Sequence, residues 1–218
     1  MFVRRRMKKS VVTVNKDNSL IEAKGKMVRH GVNQLPVMDG DTIVGIISKR
    51  DIDSATMPLI LLGEMEEGKI REILETTKVT KLMTKNPIVA NVNDTLEDAV
   101  ILIHDHRIGS LPVLTDEGKL AGIISKTDVL DAFIEALGVN EVSQRLEVVV
   151  DDKAGTLAEV INIIKRFKTN LISLITTPHP LRGKRIVYLR VASLNVLPIK
   201  KALEEKGIEI LDPRNPPG

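Results

Sequence analysis

Apolar and polar positions along this chain follow two periods, and the change from one to the other comes at regular places. A short apolar stretch, Val11–Val14, precedes a helical pattern with Leu20, Ala23, Met27 and Val28 on one face. Ser19-x-x-Glu22 opens that helix as a capping box, and Gly31 is placed to end it in a left-handed cap. Two strands follow, Leu35–Met38 and Ile43–Ile47, with Asp-Gly punctuation between them. A second helix begins at Lys49. The predicted order is β-α-β-β-α.

The same order then recurs. Gln34-Leu35-Pro36-Val37 returns 76 residues later as Ser110-Leu111-Pro112-Val113, and the same offset pairs Met7 with Met83, Leu20 with Leu96 and Ala23 with Ala99. Gly45-Ile46-Ile47-Ser48-Lys49-Arg50-Asp51 returns as Gly122-Ile123-Ile124-Ser125-Lys126-Thr127-Asp128 at an offset of 77. The extra residue falls in the hairpin turn, where a true structural duplication tolerates it. The second copy predicts strands at Ile88–Val92, Leu111–Leu114 and Leu120–Ile124. Its first helix is capped by Thr95-x-x-Asp98, with Leu96, Ala99, Val100 and Ile103 inward. Arg107 stands in the place of Gly31, so that helix exit is expected to be made differently.

Between the copies, Ser54–Lys81 carries its own helical pattern. Ile70, Ile73 and Leu74 share a face, Glu67 and Arg71 form an i,i+4 pair, and Met57–Leu62 is apolar. After Gly138 the repeat stops. Leu146–Val150, a helix opened by Thr156-x-x-Glu159 with Val160, Ile163, Ile164 and Phe167 inward, strands at Asn170–Thr177 and Arg185–Ala192, a helix at Val196–Lys206 ended by Gly207, and Ile208–Leu211 give βαββαβ. That is the ferredoxin-like order. The Pro-rich tail, Pro213–Gly218, is not expected to pack regularly.

Composition narrows the chemistry. The 218 residues are 43% hydrophobic and 28% charged, with no Cys, no Trp, one Tyr and three Phe. Cores are therefore built from Val, Ile, Leu and Met, and thiol nucleophiles, disulfides and zinc-cysteine sites are excluded. No apolar run reaches the ~18 residues of a membrane span. The basic N-terminus has no apolar segment behind it, so the expected location is the cytoplasm. Net charge is +3 and no aromatic residues interleave with Arg4-Arg5-Arg6, Lys8 and Lys9, which reads as a solvated, frayed edge and not as a nucleic-acid surface. His104-Asp105-His106 reads as a solvated helix end, because i,i+2 side chains on a helix point apart. Met57, Met65 and Met83 read as core filler. No nucleophile elbow, Walker loop or His-Glu-x-x-His is present, so no enzyme is expected and no metal or required cofactor is called.

The candidate site is the doubled strand-to-helix junction. A helix start offers unpaired N–H groups and a positive dipole end to a phosphate. Ser48 and Ser125 can donate to a phosphate or sugar oxygen, and Asp51 and Asp128 can accept two ribose hydroxyls. The same Ser-x-x-Asp spacing is also a capping box that satisfies its own backbone, and the two readings stand side by side. Lys49, Arg50 and Lys126 lie in the first helical turn, where the dipole disfavours cations, which suits an anion held there.

The doubled Leu-Pro-Val and Gly-Ile-Ile-Ser-x-x-Asp pattern resembles a pair of CBS (cystathionine-β-synthase-type) domains, a Bateman module, over Met1–Leu137. Asp152-x-x-Gly155-Thr156-Leu157 before a helix, with Asn170-Leu171-Ile172 opening the next strand, resembles an ACT domain, although Ala154 stands where that family usually has Pro. The combination is most similar to the acetoin-utilisation AcuB-type family. The resemblance implies an α/β (α+β) fold of two pseudo-symmetric βαββα units packed as a pair, residues 1–54 and 79–138, a connector at 55–78, and a ferredoxin-like ACT domain at 144–213. It implies adenosine-containing ligands, namely AMP, ADP, ATP or S-adenosylmethionine, in two clefts. Thr13, Val14, Asn33, Gln34 and Pro36 would line the first, with Ser48, Lys49, Arg50 and Asp51. Val89, Ala90, Gly109, Ser110 and Pro112 would line the second, with Ser125, Lys126, Thr127 and Asp128. Val89 in place of a Thr, and Thr127 opposite Arg50, imply clefts of unequal affinity. Asp152, Ala154, Gly155, Thr156, Leu157 and Asn170 would contact an amino acid where paired ACT domains meet. The expected assembly is a homodimer that regulates a partner enzyme. The alternative is a structural oligomerisation adaptor with empty clefts.

Overall fold

The fold is described from a computed structural model for residues 1–61 and 67–211, with 56–61 and 67 described as backbone only. The chain divides into two compact units, Met1–Leu130 and Asp131–Gly218, and each is taken by itself.

The first unit holds the duplication as two small sheets. In the first repeat, β1 (Val14–Asn15) pairs in parallel with β2 (Gln34–Asp39), which pairs antiparallel with β3 (Thr42–Ser48). Helix α1 (Leu20–His30) connects β1 to β2, and α2 (Lys49–Leu61) leaves β3. Helix α3 (Glu67–Thr76) and the edge strand β4 (Thr84–Lys85) follow. The second repeat matches it with β5 (Ala90–Asn91), α4 (Leu96–Asp105), β6 (Ser110–Leu114), β7 (Leu120–Ser125) and α5 (Lys126–Ala136). β1 and β5 are two residues each, shorter than the apolar stretches predict.

Local signals decide the helix starts. Ser19 accepts from the Glu22 N–H while the Glu22 carboxylate accepts from the Ser19 N–H, and Thr95 with Asp98 does the same. These bonds hold both carboxyls below their ordinary range: the Ser19 N–H acts first on Glu22, and the Thr95 hydroxyl acts first on Asp98. Gly31 closes α1 at φ 63°, as expected. Against expectation, Arg107 makes the second exit in the same left-handed region, at φ 52°. The backbone solution is conserved between repeats although the residue suited to it is not. Val28, expected inward, is 73% exposed, because the face set by Leu20, Ala23 and Met27 leaves it on the far side.

The leading segment of each repeat is built into the other repeat. Val3 donates its N–H to Asp94, Leu96 donates to Met1, and Lys8 bridges Ile123. At the same offset Val79 donates to Asn18, Leu20 donates to Thr77, and Thr84 pairs with Ile46. Val3 and Val79 are fully buried as a result. This corrects the frayed N-terminus: Arg4 bonds Asn93 at 2.5 Å and lies over the Phe2 ring. Gly45 and Gly122 permit the exchange. A Cβ on Gly45 would meet Met83 Sδ at 2.5 Å, and one on Gly122 would meet Met7 Sδ at 2.6 Å.

Leu74 of α3 belongs to the first repeat's core and Ile70 packs against it, as does Met83. Arg71 pairs with Glu75 at 2.8 Å. The partner called for it, Glu67, the apolar run Met57–Leu62, and the core role called for Met57 and Met65 fall outside the described side chains.

In the second unit β8 (Gln144–Asp151), α6 (Thr156–Arg166), β9 (Leu171–Pro178), β10 (Lys184–Val191), α7 (Leu197–Glu204) and β11 (Glu209–Ile210) form one antiparallel sheet in the order β11-β8-β10-β9. Element order and strand order are those of a ferredoxin-like βαββαβ unit. Leu146, Val148, Val150, Val187, Leu189 and Val191 pack under Val160, Ile163 and Ile164 of α6 and Ile199 and Leu203 of α7. Two expectations need correction. Gly155, at φ 92°, is the residue before α6, so Thr156 sits inside the first turn and no capping box forms. Phe167 is 37% exposed, because α6 ends at Arg166 and its ring lies beyond the packed face. The tail Pro213–Gly218 lies outside the described residues.

Candidate functional site

Both junctions close as capping boxes. In the first, the Ser48 N–H and hydroxyl both donate to Asp51 Oδ2 at 2.7 Å, and the Asp51 N–H donates to Ser48 Oγ at 3.1 Å. Ser125 and Asp128 repeat the pattern. The Ser48 and Ser125 protons are therefore committed to Asp51 and Asp128, so neither hydroxyl is free to donate to a phosphate in this arrangement. The other oxygen, Oδ1, of each aspartate takes no part in the box. The Lys49 N–H donates to the Asn33 carbonyl at 2.8 Å, and the Lys126 N–H donates to the Gly109 carbonyl at 3.1 Å. These bonds bring the start of β2 beside the start of α2, and the start of β6 beside α5.

The structure brings together two residues that the sequence assigned to different clefts. Gln34 and Ser110, equivalent in the two repeats and assigned to different clefts, instead face each other. The Ser110 hydroxyl donates to the Gln34 carboxamide oxygen, so the two repeats meet there. Val14 and Ala90 are buried in the cores, and Pro36 and Pro112 are also buried, on the strand face opposite Leu35, Val37, Leu111 and Val113. Val14 and Ala90 can therefore face a ligand only through main-chain groups. Thr13 and Val89 are half-buried, Asn33 is exposed, and Gly109 lies against the Gln34 side chain. Lys49, Arg50, Lys126 and Thr127 are exposed on their first helical turns. A separate groove of about 570 Å³ borders Thr13 and Val14 together with Asn18, Lys26, Asp41 and Lys119. Lys26 donates to the Thr13 carbonyl there at 2.8 Å.

One residue was missed altogether. Lys8 Nζ, carried in by the exchanged N-terminal segment, lies 3.4 Å from Asp128 Oδ1. In the other repeat Thr84 holds the equivalent register position, so Asp51 has no lysine in that place. The available signal was the Met7/Met83 pair, which aligns Lys8 with Thr84.

A protein-family model described as the CBS domain matches residues 3–57 and 79–135, the two repeats with their leading segments. The chain belongs to the CBS-domain family. A CBS domain-containing protein of Dictyostelium discoideum is 33% identical over 138 residues, covering 63% of this chain and 94% of that protein. The inosine-5'-monophosphate dehydrogenase of Korarchaeum cryptofilum is 28% identical over 162 residues, covering 72% of this chain but only 30% of that enzyme. Among solved structures, the CBS domain pair of protein MJ0100, in complex with 5'-methylthioadenosine and S-adenosyl-L-methionine, matches with a TM-score of 0.50 at 25% identity. That match covers 61% of this chain and 99% of the other.

The predicted amino-acid site of the second unit does not come together within one chain. Asp152, Ala154 and Gly155 form an exposed turn where β8 ends, with Asp152 3.6 Å from Arg185, while Leu157 turns into the core and Thr156 donates its N–H to Lys153. Asn170 precedes β9, whose first residue is in register with Val191 and hence with Gln144, at the opposite end of the sheet. About seven strand residues, roughly 23 Å, separate the two places. The His104 and His106 side chains are exposed, and His104 Nδ1 lies 2.9 Å from Asp105.

Proposed function

We propose that this CBS-domain protein is a non-catalytic sensor that takes up adenosine-containing ligands at its two strand-to-helix junctions and modulates a partner enzyme. The observation that carries the reading is the paired Asp51 and Asp128, each fixed by its serine in one orientation with Oδ1 outside the capping box and turned to a ribose diol, at Asp128 in competition with Lys8. Holding a carboxylate rigid in advance lowers the cost of ordering it on binding. Lys49, Arg50 and Lys126 beside them suit a ligand with a phosphate. The complex of the MJ0100 pair supports the nucleoside class. The ligand acts through its differential affinity for two arrangements of the repeats, which meet at Gln34 and Ser110.

The reading extends to a cytoplasmic homodimer. It also extends to an ACT-type amino-acid site at Asp152–Leu157, which requires Asn170 from a second copy because the chain's own lies at the far end of the sheet. The closed capping boxes favour a second reading, a structural adaptor with empty clefts. Isothermal titration with AMP, ATP, S-adenosylmethionine and 5'-methylthioadenosine separates the two. The sensor binds at least one of them, and Asp51→Asn and Asp128→Asn, which keep a capping side chain, each weaken one site about tenfold or more. An absence of heat for all four at millimolar concentration leaves the adaptor.

A further inference from the structure

The sheet face of the second unit that carries no helix bears a charge arrangement that the fold alone does not require. Strand alternation sends Leu146, Val148, Val187 and Leu189 under the helices, so Arg145, Glu147, Tyr188 and Arg190 point the other way. The register sets Arg190 directly opposite Arg145 on one side and Ser173 on the other. Like charges directly opposite each other across a ladder are destabilising. Arg145 is compensated: it lies 2.7 Å from Glu147 and stacks over the Tyr188 ring at 5.3 Å. Arg190 is not. It is half-buried and donates to the Ser143 hydroxyl at 3.2 Å, and among the described residues no carboxylate comes within ion-pair distance of it.

Arg145 and Arg190 both border one cavity of about 220 Å³. Leu137, Val139, Ile175 and the Tyr188 ring make its apolar wall. The Ser173 hydroxyl donates to the Leu137 carbonyl at 2.9 Å, which ties the segment before β8 to the sheet. A concave apolar site with a few convergent polar groups is the usual form of a small-molecule pocket.

We propose that this cavity binds a small organic carboxylate with a short hydrocarbon tail. The carboxylate bridges Arg145 and Arg190 and relieves their repulsion, in the planar geometry that guanidinium groups favour. The tail lies along Leu137, Val139 and Ile175. An α-ammonium group is selected against: two arginines repel it, the Glu147 carboxylate is held by Arg145, and the Leu137 carbonyl is taken by Ser173. The site is independent of the nucleoside reading of the first unit, and it lies on the helix-free sheet face, apart from the Asp152–Leu157 turn.

The test is titration calorimetry on the full chain with 4-methylpentanoate, its primary amide and leucine. The expected result is that 4-methylpentanoate binds, while the amide and leucine each bind about tenfold or more weakly. Arg190→Gln is expected to weaken the carboxylate about tenfold, whereas Arg190→Lys, which keeps the charge without the planar fork, loses less. Ile175→Glu, at a position already 40% exposed and so tolerant of change, is expected to abolish binding by placing a competing carboxylate in the cavity. Arg166→Gln, on the exposed last turn of α6, is the control and leaves affinity unchanged. Either no binding of 4-methylpentanoate at roughly ten millimolar, or equal binding by wild type and both Arg190→Gln and Ile175→Glu, overturns the proposal.

Discussion

The two repeats share one backbone but differ in the side chains at equivalent places. Hydrogen bonds recur at the 76-residue offset even where they link the leading segment of one repeat to the body of the other. The capping boxes at α1 and α4, and those at α2 and α5, recur as well. What differs is local: Gly31 against Arg107, Arg50 against Thr127, and Thr84 against Lys8. The duplication therefore separates residues that hold the architecture from residues that are free to make the two sites unlike. Changes at matched positions test which is which.

The largest effect is expected where the repeats are most alike. Gly45→Ala forces a Cβ against Met83, and Gly122→Ala forces one against Met7. Overpacking of this kind costs about 1–3 kcal/mol. The main-chain oxygens of Thr84 and Lys8 also lie 3.0 and 2.9 Å from those Cβ positions, and backbone cannot swing aside as a methionine side chain can. Urea denaturation of the two variants should show similar losses of stability. A loss confined to one of them would mean that the exchanged segments are not energetically equivalent.

The repeat itself was legible because Leu-Pro-Val and Gly-Ile-Ile-Ser-x-x-Asp are local strings, and the helix starts were legible because capping boxes are made within four residues. The exchange was not, because β4 and the Lys8 bridge are too short to carry a period. Pairing of such pieces is decided by tertiary contact alone. The contact between Gln34 and Ser110 was hidden for the same reason, since no string shows that equivalent residues face each other. That Asn170 lies a sheet's length from Asp152–Leu157 within one chain likewise needs the strand register. The glycines of the junction motif read as motif members, whereas their reason is the methionine lying on each.

An intermediate effect belongs to the helix exits. Arg107 holds a positive φ that costs a residue with a Cβ about 1 kcal/mol, and Gly31 holds a similar φ without that cost. Arg107→Gly should stabilise the protein by about 1 kcal/mol, read as a rise in the denaturation midpoint. Gly31→Arg should lose about as much. If Arg107→Gly is neutral or destabilising, the arginine side chain contributes something at this exit that its exposed position does not reveal.

The smallest effect is the one that bears on ligand binding. Lys8 competes for the oxygen of Asp128 that a ribose diol would use, while Asp51 meets no such competitor at Thr84. The pair is open to water on the lysine side, with the Lys8 side chain 68% exposed against 12% for Asp128, so its worth is about 0–1 kcal/mol. Within the proposed function, Lys8→Thr should tighten binding of uncharged 5'-methylthioadenosine at the Asp128 cleft by up to about fivefold. Measured in an Asp51→Asn background, that change reports one cleft alone. Thr84→Lys, in an Asp128→Asn background, should weaken the other cleft by a similar factor. Raising salt screens an exposed pair, so the wild-type difference between clefts should shrink as ionic strength rises while the Lys8→Thr value stays level. A Lys8→Thr protein that binds as the wild type at every salt concentration would move the source of any inequality to Arg50 and Thr127.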